Sequence, residues 1–63
     1  MRSGSDIAEW LRRLDLMQYE QVFRDNAVDI ETLSELSETD LEKLGVLLGH
    51  RKKMLKAIAV LRA

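Results

Sequence analysis

The sequence predicts an all-α fold, a compact bundle of five helices, four short and the last one long. Three observations lead there. Apolar residues recur at steps of three and four along the 63 residues, no stretch alternates with period two over a useful length, and there is no proline. Cap-like residues punctuate the apolar runs at intervals that suit short helices. No linker, repeat or low-complexity segment divides the chain, so it is expected to be one small domain with a modest core.

Residues 1–5 (MRSGS) read as a disordered lead-in or a vector-derived remnant, and 6–62 as the helical domain. Ser5 or Asp6 can cap the first helix, with Glu9 three residues after Asp6. Ile7, Trp10, Leu11 and Leu14 then form one face, while Glu9, Arg12 and Arg13 face outward. Trp10 is the natural core anchor. The apolar phase resets at Asp15–Leu16, which reads as a short break. Leu16, Tyr19, Val22 and Phe23 carry a second helix from about Met17 to Asp25, with Tyr19 and Phe23 expected to wedge against Trp10 or the final helix. Asn26 is the expected terminator, since asparagine tolerates the left-handed conformation.

Asp29 can cap a short helix holding Ile30 and Leu33. Ser37-Glu38-Thr39-Asp40 reads as a cap with an acid at the third helical position, followed by Leu41 and Leu44. Leu36 is placed to staple back onto Leu41, and Gly45 to end that helix. Gly49 can start the last helix, whose Met54, Leu55, Ile58 and Leu61 form a broad stripe. Met17 and Met54 read as rim or core packing. His50, Arg51, Lys52, Lys53 and Lys56 occupy the first turn and the opposite face. Cations at a helix start oppose the macrodipole, so local stability does not explain them. They are either a solvated face or a binding surface.

Net charge is only −1, but it is unevenly spread. From Asp15 to Lys43 nine acids face two bases, a local balance of −7; from Leu44 to Ala63 there are five cations and no acid. A near-neutral total therefore conceals two surfaces of opposite sign. Chemistry is scarce by comparison. There is no cysteine and one histidine, so neither disulfides nor a metal-ligand cluster is expected, and no cofactor. Ser34 and Ser37 are better explained as caps than as nucleophiles, and GVLLGHRKK lacks the spacing of a phosphate-binding loop. So small a core cannot form a deep catalytic cleft, and an enzyme is not expected. No apolar run approaches the roughly 20 residues of a membrane span. A cysteine-free chain suits a reducing compartment, and the expected location is cytoplasmic.

The segments DIAEWLRRLDLMQYEQVF, DIETLSELSETDLEKLGV and LGHRKKMLKAI, in that order, resemble a sterile alpha motif (SAM) domain from Asp6 to Leu61. The resemblance rests on Trp10, Leu11, Leu14, Leu16, Tyr19 and Phe23, then on Leu33, Leu36, Asp40, Leu41, Leu44 and Gly45, and finally on the GHRKK ending. It implies a five-helix bundle whose commonest role is association with another SAM domain, a mid-loop surface of one molecule meeting an end-helix surface of the next. Carried onto this chain, the end-helix side comprises Leu47, Leu48, Gly49, His50, Arg51, Lys52, Lys53 and Lys56, with either Leu47 or Leu48 as its exposed apolar centre. The mid-loop side draws on Asp25, Asp29, Glu31, Glu35, Glu38, Asp40 and Glu42, with Asp40 expected to be engaged in its own cap. Both surfaces on one chain imply possible head-to-tail self-association, open or closed into a ring. The style of the sequence looks most like SAM domains of multidomain signalling proteins, including bacterial nucleotide cyclases and animal scaffold or adaptor proteins, and implies no cyclase chemistry here. A competing role is binding of RNA or an anionic surface by the basic last helix. Against it stand the slightly negative net charge and the lack of an exposed aromatic for base stacking. No small-molecule substrate is implied.

Overall fold

Helix follows helix, with no strand among the described residues, 3–62, of the computed structural model; side chains are described from Asp6 onward. The elements are α1 (Ser3–Arg13), a 3-10 turn (Met17–Tyr19), α2 (Glu20–Asp25), α3 (Ile30–Leu33), α4 (Glu38–Lys43) and α5 (Leu48–Arg62). The all-α, five-helix expectation holds, although α1 runs to 11 residues beside the 15 of α5. Met1 and Arg2, part of the expected lead-in, lie outside the described residues. Helix α1 begins at Ser3, so Asp6 lies in its first turn instead of capping it.

Three of the helices stop in the same way. After α1, Leu16 N–H donates to Leu11 C=O (2.8 Å) and Asp15 N–H to Arg12 C=O (3.0 Å), with Asp15 at φ 61°. After α2, Val28 N–H reaches Phe23 C=O (2.9 Å) and Ala27 N–H reaches Arg24 C=O (3.1 Å), with Ala27 at φ 56°. After α4, Val46 N–H reaches Leu41 C=O (3.1 Å) and Gly45 N–H reaches Glu42 C=O (2.9 Å), with Gly45 at φ 89°. Each is a Schellman cap, and each is followed by a buried residue: Leu16, Val28 and Val46. Glycine takes the left-handed position freely only at Gly45; at Asp15 and Ala27 the strain is offset by burying the next side chain.

This revises the expectation for Asn26. Its backbone is not left-handed (φ −102°), and its side chain instead donates to Val22 C=O at 2.8 Å, leaving the left-handed step to Ala27. The single helix expected from Met17 to Asp25 is divided as well. Tyr19, at φ −95°, ψ 0°, ends the 3-10 turn and is the N-cap residue of α2. The other two predicted N-caps form as read. Asp29 accepts from Thr32 N–H at 2.8 Å, and Ser37 and Asp40 make a reciprocal capping box. Ser37→Ala is expected to lower unfolding free energy by about 0.5–2 kcal/mol, measured by urea titration.

The core gathers Trp10 and Leu11 from α1, Tyr19 and Phe23, Leu33, Leu41, and Met54 and Ile58 from α5, with Leu55 half-buried beside them. Met17 is at the rim and Met54 is fully buried. Leu61 departs from its expected stripe: it is 42% exposed and its neighbour Val60 75%. The apolar face of α5 is thus used as far as Ile58, and its last turn runs past the core. No described helix is long and apolar enough to cross a membrane.

Candidate association surfaces

The start of α5 is held from below by Tyr19. The Tyr19 hydroxyl accepts Leu47 N–H at 3.2 Å and lies 2.6 Å from His50 Nδ1, with the two rings edge to face at 5.4 Å. The direction of the bond between the hydroxyl and Nδ1 is set by the tautomer of the imidazole. One buried phenol therefore fixes the residue before the helix and the third residue within it. This is the contact with the final helix expected of Tyr19, made through a hydroxyl as well as through packing.

Arg51 pins the same corner from the other side. Its Nη1 donates to Val46 C=O at 2.8 Å, and its Nε lies 3.6 Å from Glu38 Oε2, too far for a direct hydrogen bond. Only 14% of its side chain is exposed, so Arg51 turns inward where a partner-facing cation was expected. Glu38, assigned by resemblance to the mid-loop side, thereby stands beside the end-helix residues within one molecule.

With the backbone fixed from beneath, Leu47 and Leu48 are both exposed, by 64% and 57%; the choice between them resolves as both. Helix α5 begins at Leu48, one residue earlier than expected, and Arg51 N–H closes its first turn on Leu47 C=O (2.8 Å). A Cβ at Gly49 would meet nothing within 4 Å, so no neighbour inside the protein requires glycine there. Lys52, Lys53 and Lys56 are exposed, and none forms an ion pair among the described residues.

The acids expected on the other side are dispersed. Asp25 accepts from Gln21 Nε2 at 2.8 Å at the end of α2. The Thr32 backbone N–H holds Asp29 below the ordinary carboxylate value, and the Ser37 backbone N–H does the same for Asp40. Asp29 is therefore engaged in a cap just as Asp40 is, although its carboxylate stays at the surface. Glu31, Glu35 and Glu42 are exposed. The hollow beside α4, about 320 Å³, is lined by Asn26, Val28, Thr32, Leu36, Asp40, Lys43 and Leu44, and so carries one carboxylate and one ammonium. Asp29 and Glu31 instead share a groove of about 340 Å³ with Asp6 and Ile30. In the sequence Asp6 carries only a helix-start signal, and no local pattern places it beside α3.

Tyr19, His50 and Arg51, all within the sequence motifs, meet at this corner. The family model for the SAM domain (sterile alpha motif) matches residues 1–62. The chain belongs to the SAM family. Its domain is 41% identical over 59 residues to protein bicaudal C homolog 1 of Homo sapiens, covering 92% of this chain and 6% of that protein. It is 39% identical over 59 residues to SH3 and multiple ankyrin repeat domains protein 2 of Xenopus laevis, covering 92% of this chain and 5% of that protein. The Rattus norvegicus counterpart is 39% identical over 54 residues, covering 84% of this chain and 4% of its own length. The SAM domain is thus a small part of each relative's length. SAM domains are commonly protein–protein interaction modules and generally non-catalytic.

Proposed function

We propose that this SAM domain is a non-catalytic association module that binds another SAM domain, in a second copy or a different protein, through the start of α5. Bound in series, such domains position or multimerise whatever flanks them in a cytoplasmic scaffold or signalling protein. The observation that carries this reading is the pair of adjacent exposed leucines, Leu47 and Leu48, held rigid by Tyr19 and Arg51. An apolar tip on a fixed backbone loses little entropy on docking. Gly49 supports it, because a helical glycine is less stable than alanine by roughly 0.5–1 kcal/mol and no contact within the protein calls for one. Its open backbone suits close approach by a partner. Lys52 and Lys53 supply the steering charge for an acidic surface on the other molecule.

Such a contact is heterologous, so it builds open filaments or closed rings. Sedimentation velocity at low and high salt tests the reading. Association is expected at low ionic strength and should weaken as the Debye length falls below about 8–10 Å. An RNA stem-loop added in the same buffer is expected to leave the boundary unchanged. A monomer at every salt and concentration, without a heterotypic SAM partner that binds it, would refute the proposal; a shift with RNA alone would favour phosphate binding.

A further inference from the structure

The last turn of α5 leaves apolar surface beside α1 that nothing among the described residues covers. Val60 is 75% exposed and Leu61 42%, and neither belongs to the core cluster. Two adjoining hollows, about 220 and 240 Å³, share Trp10, Arg13 and Leu61. The larger adds Leu14, Ala57 and Val60, so its walls are apolar except for Arg13. The smaller runs past Ile30 to Asp6 and Glu9. Carboxylates therefore stand at one end of this face, a guanidinium at the other, and Trp10, Leu61 and Val60 between them. Asp6 and Arg13 are about two turns apart along α1, roughly 10 Å. Asp6 forms no ion pair among the described residues. Arg13 is held only loosely, 3.9 Å from Glu9, with 76% of its side chain exposed.

A face with opposite charges at its two ends is complementary to itself. A half-turn about an axis near Leu61 lays its apolar middle on the same residues of a second copy. The same rotation sets Arg13 of each copy against the partner's Asp6, two ion pairs from one operation. A nucleic acid or an acidic peptide would meet Asp6 and Glu9 as like charges, and a wholly apolar partner would leave both ends unmatched. We infer that this α1–α5 face is a two-fold pairing surface for a second copy of the chain. It uses none of residues 47–53, so it goes beyond the proposed association and stands or falls separately from it. The contact is isologous and closes at two, whereas a heterologous contact continues. A small apolar patch makes a weak, transient pair. Such a pair gains force where copies are already tethered in a row, because tethering sets local concentrations in the millimolar range.

The test uses the Lys52→Glu/Lys53→Glu background, in which contacts through the α5 start are silenced. This protein is expected to be monomeric at micromolar concentrations and to reach a dimer, with nothing larger, toward about 1 mM in sedimentation equilibrium. Trp10, the sole tryptophan, should become harder to quench with acrylamide over the same range. Adding Val60→Lys should weaken the dimer about tenfold and spare the fold, since a cation near a helix C-terminus is favourable. Arg13→Glu should weaken it about fivefold, and Arg13→Glu/Asp6→Lys, which exchanges the two charges, should restore it to within about twofold. Association unchanged by Val60→Lys would overturn the inference. So would a charge exchange that fails to rescue Arg13→Glu. A background monomer at about 1 mM would also overturn it, including one that instead floats with phosphatidylcholine vesicles and so gives the face to a membrane. If wild-type protein forms chains while that background stays monomeric, the proposed association stands and the two-fold pair falls.

Discussion

Phe23→Ala is expected to leave the domain largely unfolded at 25 °C. Phe23 is completely buried, and its ring lies in the cluster that joins α1, α2, α4 and α5. Removing such a ring destabilises a domain by about 3–5 kcal/mol, the lost transfer energy plus the cavity left behind. A domain below about 70–80 residues rarely has more than 3–5 kcal/mol to lose. Far-UV circular dichroism during a thermal scan should show a broad, low-amplitude transition where the parent melts cooperatively. Leu61→Ala is the instructive comparison. Both residues sit on apolar stripes of the sequence, yet Leu61 is 42% exposed, and its truncation should shift the melt only slightly. A cooperative, near-normal melt for Phe23→Ala would mean that the core is organised differently.

Charge reversal at the start of α5 has the largest expected effect on association. Lys52→Glu/Lys53→Glu places two acids where two exposed cations face solvent. If that surface meets carboxylates of a neighbouring molecule, attraction becomes like-charge repulsion. Juxtaposed like charges cost several kcal/mol, so the affinity should fall on the order of a hundredfold. The folded protomer should hardly respond. Both positions are exposed and lie beyond the first turn of α5, where a surface substitution changes stability by no more than about 0.5 kcal/mol. One double variant should therefore lose self-association in sedimentation while its melting temperature holds. Loss of both together would indicate damage to the fold. Retention of association would remove the lysines from the interface. Arg51 is a poor choice for this experiment, because it supports Val46 C=O and lies near Glu38.

What the residues announce locally, the molecule builds. Asp29 and Ser37 cap their helices, Gly45 takes the left-handed step, and Ile7, Trp10, Leu11, Phe23, Met54 and Ile58 go inside. These features are legible because their physics spans a few residues: a side-chain oxygen reaches an N–H three positions on, and side chains three or four apart share a face. The same reasoning finds the two leucines and the basic run, and with them the motifs of the family.

Tertiary packing decides the remainder. Asp15 and Ala27 adopt left-handed backbone with no glycine to announce it, because the residue after each must turn into the core. Arg51 looks like Lys52 and Lys53 in sequence, but Val46 C=O lies within its reach, and it turns inward. Leu47 and Leu48 are both exposed because Tyr19, nearly thirty residues earlier, holds the Leu47 N–H. Asp6 joins Asp29 and Glu31 only because α1 packs on α3. The local sequence determines the caps at Asp29, Ser37 and Gly45 and most of which face of each helix is apolar. Which charges become neighbours, and which apolar residues stay outside, depends on contacts between segments far apart in the chain, where no local spacing records them.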